Sequence, residues 1–447
     1  MNKKAICKIV IIAMILFSNS TKGQINPLNN FIGLDVSTQP QNASFNYDSC
    51  FILGKNLGMT RVGVFQNWTA IETSPTVYNM TIMDIANIYY PAYNMSVDLT
   101  ITPIHTNNLE VPSDLTSTPF DNAVFINRFN RMLDSVKAHM PNVTLSSLVI
   151  GSEHDVYLGS NVALWTQYTN FYNAVLLHAK TLWPGLKVAT ELTFNGITTQ
   201  NTFAQTLNTN SDYIGVSYYP LNTNFTVKPV SVISTDFATL VGLYASKPIC
   251  FYQYGYPSSS TCNSSDVLQA QFISQTFTSW DTYASNIKMI DFTWLHDLDM
   301  ALVNYYGTYY GLTDPVFLEY LHTLGMRNWN GNGSDKLAFT ELKCQAKQRG
   351  YNALPINCST SLSEINTSDE IVLFPNPVQT IFSLQSSQEL NNATITVFNS
   401  IGQVVKTISN VNAKQLSIDM SGMPNGLYLV EIHSGEKQLN KKIVLDR

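Results

Sequence analysis

The chain has 447 residues, of which 45% are hydrophobic and only 13% are charged, and its formal net charge is −6. This length fits one large domain followed by a small one, with enough apolar residues for a sizeable core. The acidic balance and the lack of a basic run argue against nucleic acid as a partner.

The N-terminal residues have the pattern of a secretory signal peptide. Three lysines in the first eight residues precede an apolar run from Ile9 to Phe17, and small and polar residues follow up to Gly23. The run is too short to cross a bilayer, which takes roughly 20 apolar residues. We therefore predict a signal peptide over residues 1–23. Cys7 precedes the apolar run, so a lipoprotein anchor is not expected.

Removal of this segment leaves five cysteines, and export permits disulfides. The odd count leaves at least one free thiol. Sequence proximity favours a Cys344–Cys358 pair, and the alternative is that all five are buried free thiols. No CxxC or His-rich spacing is present, so we predict no metal site and no cofactor.

Residues 27–352 alternate between short apolar runs and longer stretches of helical period, such as Asn122–Met140, Ala163–Thr181 and Val267–Ala284. The apolar runs lack a polar side, as expected for strands buried on two faces. A doubly wound sheet would need fewer units and a Gly-rich first turn, which is missing. Eight units predict an α/β fold, a (β/α)8 TIM barrel. Its predicted strands are Phe31–Val36, Thr60–Val64, Val97–Pro103, Leu148–Glu153, Lys187–Thr193, Tyr213–Tyr218, Pro248–Gln253 and Met289–Leu295.

The chain changes character after a closing helix predicted over Lys336–Tyr351. Residues 353–369 are rich in Ser, Thr and Asn, a composition typical of a linker. From residue 370 to residue 447, short strand patterns separated by turn residues predict a small all-β sandwich. The strands are predicted at Ile371–Phe374, Ile381–Gln385, Ala393–Asn399, Val404–Ile408, Leu416–Met420, Gly426–Ile432 and Gln438–Leu445.

Motifs in residues 370–447 carry a resemblance to a known family. They are Phe374–Pro377, Val397–Gly402, Gly426–Val430 and the basic end Lys441–Val444. In this order and place they resemble the type A C-terminal sorting domain of the type IX secretion system. The resemblance implies that the type IX secretion machinery handles residues 370–447. It also implies passage through the periplasm and across the outer membrane, to the cell surface or the medium. The alternative is a carbohydrate-binding or spacer sandwich.

One carboxylate stands where a barrel carries its chemistry. Glu153 ends the fourth predicted strand, and active sites of (β/α)8 barrels lie at the carboxyl ends of the strands. Glycoside hydrolysis usually needs two carboxyl groups, about 5 Å apart in retaining enzymes. One protonates the leaving oxygen and the other attacks the sugar carbon. The partner of Glu153 is expected at the end of the seventh strand.

Five stretches carry a second resemblance: Gly63–Trp68, Thr102–Thr106, Gly151–Glu153, Asp212–Pro220 and Lys247–Ser259. They resemble the barrel glycoside hydrolases whose acid/base and nucleophile close strands four and seven, and among these the endo-galactanase-like branch. The resemblance implies that Glu153 is the general acid/base. It places Ser152 where the family has an Asn that hydrogen-bonds the sugar.

The same resemblance places the nucleophile position on Gln253. An amide oxygen is a poor nucleophile and carries no charge, so the usual retaining mechanism cannot run there. Residues 245–265 contain no Asp or Glu, so a shifted alignment does not supply the carboxylate. An inverting arrangement needs a base roughly 6.5–9.5 Å from the acid. Carboxylates that could replace the missing one, or be merely structural, are Asp35, Asp155, Glu191, Asp291 and Asp297.

Aromatic and histidine side chains at other strand ends are candidates for contact with sugar. Trp294 closes strand eight, where the family stacks a Trp beneath the sugar. Further candidates are Trp68, His105, Tyr218, Tyr256 and His296. Aromatic faces stack on sugar C–H groups without any carboxylate, although ordinary barrel packing is the alternative for each residue.

Two functions from different classes remain open. Both expect a polysaccharide or oligosaccharide as the ligand. The protein is expected to be a monomer. The first is an exported glycoside hydrolase that acts on a β-linked polysaccharide, with Glu153 as general acid/base. The second is a barrel that binds glycan without cleaving it, which Gln253 favours. A surface scaffold or adhesin without affinity for sugar is a third possibility.

Overall fold

The computed structural model describes two compact units, within residues 1–356 and 357–447. The residues it describes are 30–351, 358, 371–386, 389–399, 403–434 and 437–446. The predicted signal peptide, and the predicted linker except for Cys358, lie outside these ranges. Within them, no helix is both long and apolar enough to span a bilayer.

The first unit is built on eight parallel strands, which confirms the predicted (β/α)8 barrel. They are β1 (Phe31–Leu34), β2 (Arg61–Asn67), β3 (Ser96–His105), β4 (Leu145–Ser152), β5 (Lys187–Ala189 and Glu191–Thr193), β6 (Ile214–Tyr218), β7 (Ile249–Tyr254) and β8 (Ile287–Phe292). Hydrogen bonds link β2-β3-β4-β5 and β5-β6-β7-β8-β1, and β1 lies beside β2. The two segments of β5 pair with different neighbours, β4 and β6, on either side of Thr190.

Helices surround the strands and include the four predicted from sequence. They are α1 (Tyr47–Leu57), α2 (Trp68–Ile71), α3 (Thr81–Ala92), α4 (Ala123–His139), α5 (Asp155–Leu158), α6 (Val162–Leu182), α7 (Phe194–Thr199), α8 (Asn201–Leu207), α9 (Val232–Leu243), α10 (Asp266–Thr282), α11 (Met300–Tyr310), α12 (Pro315–His322) and α13 (Leu337–Gln348). Side-chain caps fix several of their first turns, as where Asn122 accepts from the Val124 N–H and Asp299 from the Leu302 N–H.

Short elements decorate the loops. A hairpin joins Glu72–Ser74 to Val77–Tyr78, and Asn108–Leu109 folds back on the end of β3. Two 3-10 turns lie at Ser113–Leu115 and Ser260–Cys262.

The barrel interior is partly hollow. Such interiors are usually filled by branched aliphatic side chains. Here Gly33 and Gly63 face the carboxyl group of Asp291, and a Cβ added to Gly33 would lie 2.7 Å from it. Asp98 and Thr100 of β3 also point inward and line a cavity. Small and polar residues on β1, β2, β3 and β8 therefore extend the space at the strand ends into the barrel.

The second unit is a small all-β domain, as predicted. Its strands are β9 (Val372–Phe374), β10 (Ile381–Gln385), β11 (Ala393–Phe398), β12 (Val404–Val411), β13 (Gln415–Asp419), β14 (Gly426–Ser434) and β15 (Lys437–Leu445). They form antiparallel sheets of order β9-β10-β13 and β12-β11-β14-β15. Alternate side chains such as Ile395, Val397 and Val430 are buried in one apolar cluster.

Among the described residues, two cysteines are disulfide-bonded and three are free. Cys344 and Cys358, the predicted pair, are both disulfide-bonded. Cys50, Cys250 and Cys262 are buried free thiols.

Candidate functional site

A cavity of about 360 Å³ opens at the carboxyl ends of the barrel strands. Its volume lies in the range of ordinary small-ligand sites. The walls combine aromatic rings with carboxyl groups, contributed by Asp35, Phe65, Asp98, His105, Glu191, Tyr252, Gln253, Asp291, Trp294, Tyr306 and Tyr310 among others. Several residues predicted from sequence are therefore brought together here.

Gln253 is held at both ends of its amide. Its Oε1 accepts from the Tyr219 hydroxyl at 3.0 Å. Its Nε2 donates to Ser152 Oγ at 3.1 Å and to Glu191 Oε2 at 3.3 Å. Because Ser152 donates its one hydroxyl proton to Glu191, its Oγ accepts from Gln253, and this contact fixes the NH2 end of the amide. The strand-seven position thus carries a neutral, fully bonded amide.

Glu191 lies in the second segment of β5 and accepts hydrogen bonds from both Gln253 and Ser152. Its Oε2 accepts from Ser152 Oγ at 2.8 Å. The residue is 1% exposed. Burial, followed by the negative charge of Glu153, raises the pKa of the Glu191 carboxyl to about 8. Glu191 is therefore a neutral acid at pH 7.

Glu153 follows β4 directly and has a φ of 51°. A left-handed backbone at a non-glycine residue is strained, and such strain concentrates at functional sites. Its carboxylate accepts from Thr106 Oγ1 at 2.8 Å and from Ser217 Oγ at 2.6 Å. Thr106 has a left-handed φ of 55° as well. Two strained residues at the ends of β3 and β4 are thus joined through their side chains.

His105 is fixed by tyrosines from α11. The Tyr309 hydroxyl donates to Glu110 Oε1 at 2.6 Å and lies 3.0 Å from His105 Nδ1. Since a hydroxyl has one proton to give, His105 Nδ1–H donates to Tyr309, and Nε2 accepts from Tyr310 at 3.2 Å. Burial lowers the pKa of His105 to about 4, so the ring is neutral at pH 7.

The loop after β3 is bound to the end of α11. Asn107 Nδ2 donates to the Tyr310 carbonyl at 2.9 Å, and Asn108 Nδ2 donates to the Tyr309 carbonyl at 2.8 Å. This contact closes one side of the cavity mouth, because His105 and Tyr310 both line the cavity.

Trp294 supplies the aromatic face expected at strand eight. Its ring is parallel to that of Tyr306, with 6.2 Å between centroids and 14° between planes. Its indole and the Ser37 N–H donate to the carboxyl of Asp35. Burial raises the pKa of Asp35 despite these bonds. A flat apolar face therefore lies beside a carboxyl group at the end of β1.

Apart from Ser152, which is fully buried and bonded to Glu191 and Gln253, four predicted sugar contacts lie outside the cavity lining. Trp68 is fully buried and donates to Glu72 Oε2 at 2.9 Å, between rings of α4. Tyr218 is 1% exposed and donates to Asp236 at 2.7 Å. Tyr256 is likewise buried and donates to the Lys228 carbonyl. Each of these side chains packs between the barrel and its helices.

The fourth of them, His296, is also fully buried. Its Nε2 accepts from Arg327 at 3.1 Å and its Nδ1 lies 3.1 Å from the Thr38 carbonyl. Because guanidinium groups only donate, the ring is the Nδ1–H tautomer with both nitrogens used. His296 is therefore placed as a structural residue beside β8.

The alternative carboxylates separate into two groups. Asp155 accepts from the Thr193 N–H and hydroxyl, and Asp297 is paired with Lys336 at 2.6 Å, so both are engaged in structural bonds. Asp35, Glu191 and Asp291 line the cavity. Within the described residues, no group of three His, Cys, Asp or Glu side chains is arranged to hold a metal ion.

Sequence reasoning missed the tyrosines that close the cavity. Tyr219 contacts Gln253, and Tyr306 and Tyr310 line the wall from α11. The signal for α11 was present as two Tyr-Tyr pairs, Tyr305-Tyr306 and Tyr309-Tyr310, spaced four residues apart. That spacing puts their rings on one face of a helix.

Comparison with protein families identifies the second unit. Residues 372–446 match the family described as the secretion system C-terminal sorting domain. The predicted sorting domain is thereby confirmed, and it directs the chain to type IX secretion, to the cell surface or the medium. No curated protein sequence matches the chain.

Solved structures resemble the barrel. A GH5_18 variant from Bifidobacterium longum, in complex with Manβ1-4GlcNAc, has a TM-score of 0.56 and 14% identity over 73% of this chain and 80% of its own. Its counterpart from Streptomyces cattleya, with the same ligand, has a TM-score of 0.56 and 14% identity over 72% and 81%. An exo-β-1,4-mannosidase from Opitutaceae bacterium strain TAV5 has a TM-score of 0.55 and 14% identity over 71% and 59%.

These likenesses confirm the fold as that of glycoside hydrolase barrels. Some other matches are to much longer chains. This chain covers 46% of a β-glucuronidase from Bacteroides uniformis, at 9% identity and a TM-score of 0.49.

Proposed function

We propose that this exported barrel binds a β-linked oligosaccharide or polysaccharide in its cavity and does not cleave it by the two-carboxylate route. The observation that supports the proposal is the bonded amide of Gln253, at the position where the sequence resemblance expects the nucleophile. Its oxygen accepts from Tyr219, and its nitrogen donates to Ser152 and Glu191. A group with this geometry supplies neither a nucleophile nor a negative charge for an oxocarbenium ion.

Glu191 does not replace the missing nucleophile. Its carboxyl is 1% exposed and bonded to Gln253, and its raised pKa of about 8 keeps it protonated at pH 7 without a bound cation. A protonated acid is a weak nucleophile and stabilises positive charge poorly. Double displacement through strands four and seven therefore has no charged second carboxyl group.

Sugar binding does not depend on that missing charge. The Trp294 and Tyr306 rings offer apolar faces for sugar C–H groups, and carboxyl and hydroxyl groups beside them offer hydrogen bonds. The β-linked class is supported by the solved neighbours, since two hold Manβ1-4GlcNAc and one is named an exo-β-1,4-mannosidase.

A second candidate function is hydrolysis with Glu153 as general acid/base. The strained backbone of Glu153, joined to Thr106 through its carboxylate, favours it, because strain is retained where a mechanism uses it. Asp35, which lines the cavity at the end of β1, would then serve as base in an inverting reaction.

Calorimetry with the purified mature chain tests the proposal on β-mannan, β-galactan, β-glucan and β-xylan oligosaccharides, with reducing-sugar assays on the same mixtures. Binding without sugar release, weakened at least tenfold by Trp294→Ala, is the expected result. Sugar release that disappears in Glu153→Gln establishes the second candidate instead. If no oligosaccharide binds, both candidates fail and a surface scaffold remains.

A further inference from the structure

The floor of the cavity is acidic and contains no basic side chain. Four carboxyl groups line it, from Asp35, Asp98, Glu191 and Asp291, and within residues 30–351 its lining includes no Lys or Arg. His105, the one imidazole in the wall, is neutral because burial lowers its pKa to about 4. Outside the lining, Arg61 lies 3.7 Å from Asp98. The other three carboxyl groups have no cationic partner among the described residues.

Two of these carboxyl groups carry buried oxygens that receive no hydrogen bond from the described residues. They are Glu191 Oε1 and Asp291 Oδ1. Buried polar atoms in proteins are nearly always hydrogen-bonded, so two unbonded oxygens at one cavity floor call for hydrogen-bond partners. Gly33 and Gly63 keep space beside Asp291, since a Cβ on Gly33 would meet its carboxyl group at 2.7 Å.

The carboxyl groups also keep one another protonated. Burial and then the charges of Asp35, Asp98 and Glu191 raise the pKa of Asp291 well above its usual range. Like charges in a dry site cannot all ionise unless a cation joins them. A neutral sugar would bond the unbonded oxygens through its hydroxyl groups but would supply no cation. An ammonium group satisfies both requirements.

We propose that the cavity floor binds the ammonium group of an amino sugar in a β-linked glycan, and that Glu191 and Asp291 release their protons on binding and become its acceptors. The inference rests on the proposed glycan binding and specifies its ligand. An ammonium group has three donors and forms charge-assisted bonds to carboxylates. The Trp294, Tyr306 and Phe65 rings in the cavity wall add faces that attract a cation and pack on the sugar ring.

Three ligands that differ in a single substituent test this inference. They are β-1,4-linked trimers of glucosamine, N-acetylglucosamine and glucose, which present an ammonium, an amide and a hydroxyl group at C2. We expect calorimetry on the mature chain at pH 7 to show at least tenfold tighter binding of the glucosamine trimer. Asp291→Asn and, independently, Glu191→Gln should reduce that preference at least fivefold.

Asp84→Asn is the matched control, because it makes the same change of carboxyl to amide at an exposed residue paired with His139. It should leave the preference unchanged, and tryptophan fluorescence should show that every variant used is folded. Equal affinity for the three trimers, or a preference that survives both cavity substitutions, overturns the inference. If ethylenediamine competes as strongly as the glucosamine trimer, the site recognises an amine and the amino-sugar assignment fails.

The neutral panel separates this outcome from a failure of the proposed function. Binding of neutral β-linked oligosaccharides without a preference for the amine refutes the amino-sugar inference alone. If neither the trimers nor the neutral panel bind, glycan binding itself is refuted.

Discussion

Replacement of Glu191 by Gln should make the stability of the barrel less dependent on pH. The carboxyl has a pKa of about 8 in the folded chain, against an ordinary value of 4.5. Between these values the folded state holds a proton that the unfolded state has lost, so stability falls as the pH rises through this window. The Glu191→Gln variant lacks this contribution, because an amide neither gains nor loses a proton in this range.

The expected size of the effect follows from the width of the window. Each pH unit within it costs about 1.4 kcal/mol of unfolding free energy, so wild type should lose about 3 kcal/mol more than Glu191→Gln between about pH 5 and 7.5. Urea unfolding followed by tryptophan fluorescence measures this, because all six tryptophans lie between Trp68 and Trp329 and so report the barrel alone.

The comparison of slopes is unaffected by a constant difference in stability between the two proteins. If the amide fits the site less well, the whole curve of the variant shifts down but its slope does not change. Parallel stability curves for wild type and Glu191→Gln would refute the assignment of Glu191 as a buried neutral acid.

Two further predictions concern buried groups. Lys336→Met should destabilise the barrel by about 3–5 kcal/mol in urea unfolding, because it leaves Asp297 buried without its partner. The control Lys343→Met breaks a more exposed pair and should cost at most about 1 kcal/mol. Equal losses of stability in the two variants would contradict the argument. Trp68→Ala should lower the stability of the barrel by about 3–5 kcal/mol with little direct effect on glycan affinity. Trp294→Ala should instead weaken glycan binding more than it lowers stability. The reverse pattern would show that the two tryptophans are misassigned.

Much of the barrel could be predicted because its strands are buried on both faces. Each of the eight apolar runs corresponds to a strand, and parallel strands of a barrel bring their carboxyl ends together. That rule explains why His105, Gln253 and Trp294, predicted from separate segments, meet at one cavity.

Whether a predicted aromatic contact reaches the cavity depends on which way its side chain points. Along β6, Ser217 faces inward to Glu153, so the next residue, Tyr218, faces outward into the helix layer. Tyr219 then reaches Gln253. A position at a strand end is therefore not enough to predict a site residue, because successive side chains alternate between the two faces.

The hollow floor and the tyrosine wall depend on tertiary structure. Gly33 and Gly63 acquire their role only when β1 and β2 face Asp291 of β8. Tyr306 and Tyr310 reach the cavity because the end of α11 lies against the loop after β3. Asn107 and Asn108 of that loop donate hydrogen bonds to the last carbonyl groups of the helix. Neither contact follows from local periodicity, since each joins segments that are far apart in the sequence.

The central claim is that Gln253 separates this barrel from a working retaining hydrolase. The most direct test is reducing-sugar release from a β-linked oligosaccharide that wild type binds, measured for wild type, Gln253→Glu and the double variant Gln253→Glu/Glu153→Gln. We predict no release by wild type, release by Gln253→Glu, and none by the double variant. Release by wild type at a rate that Gln253→Glu does not increase would contradict the claim.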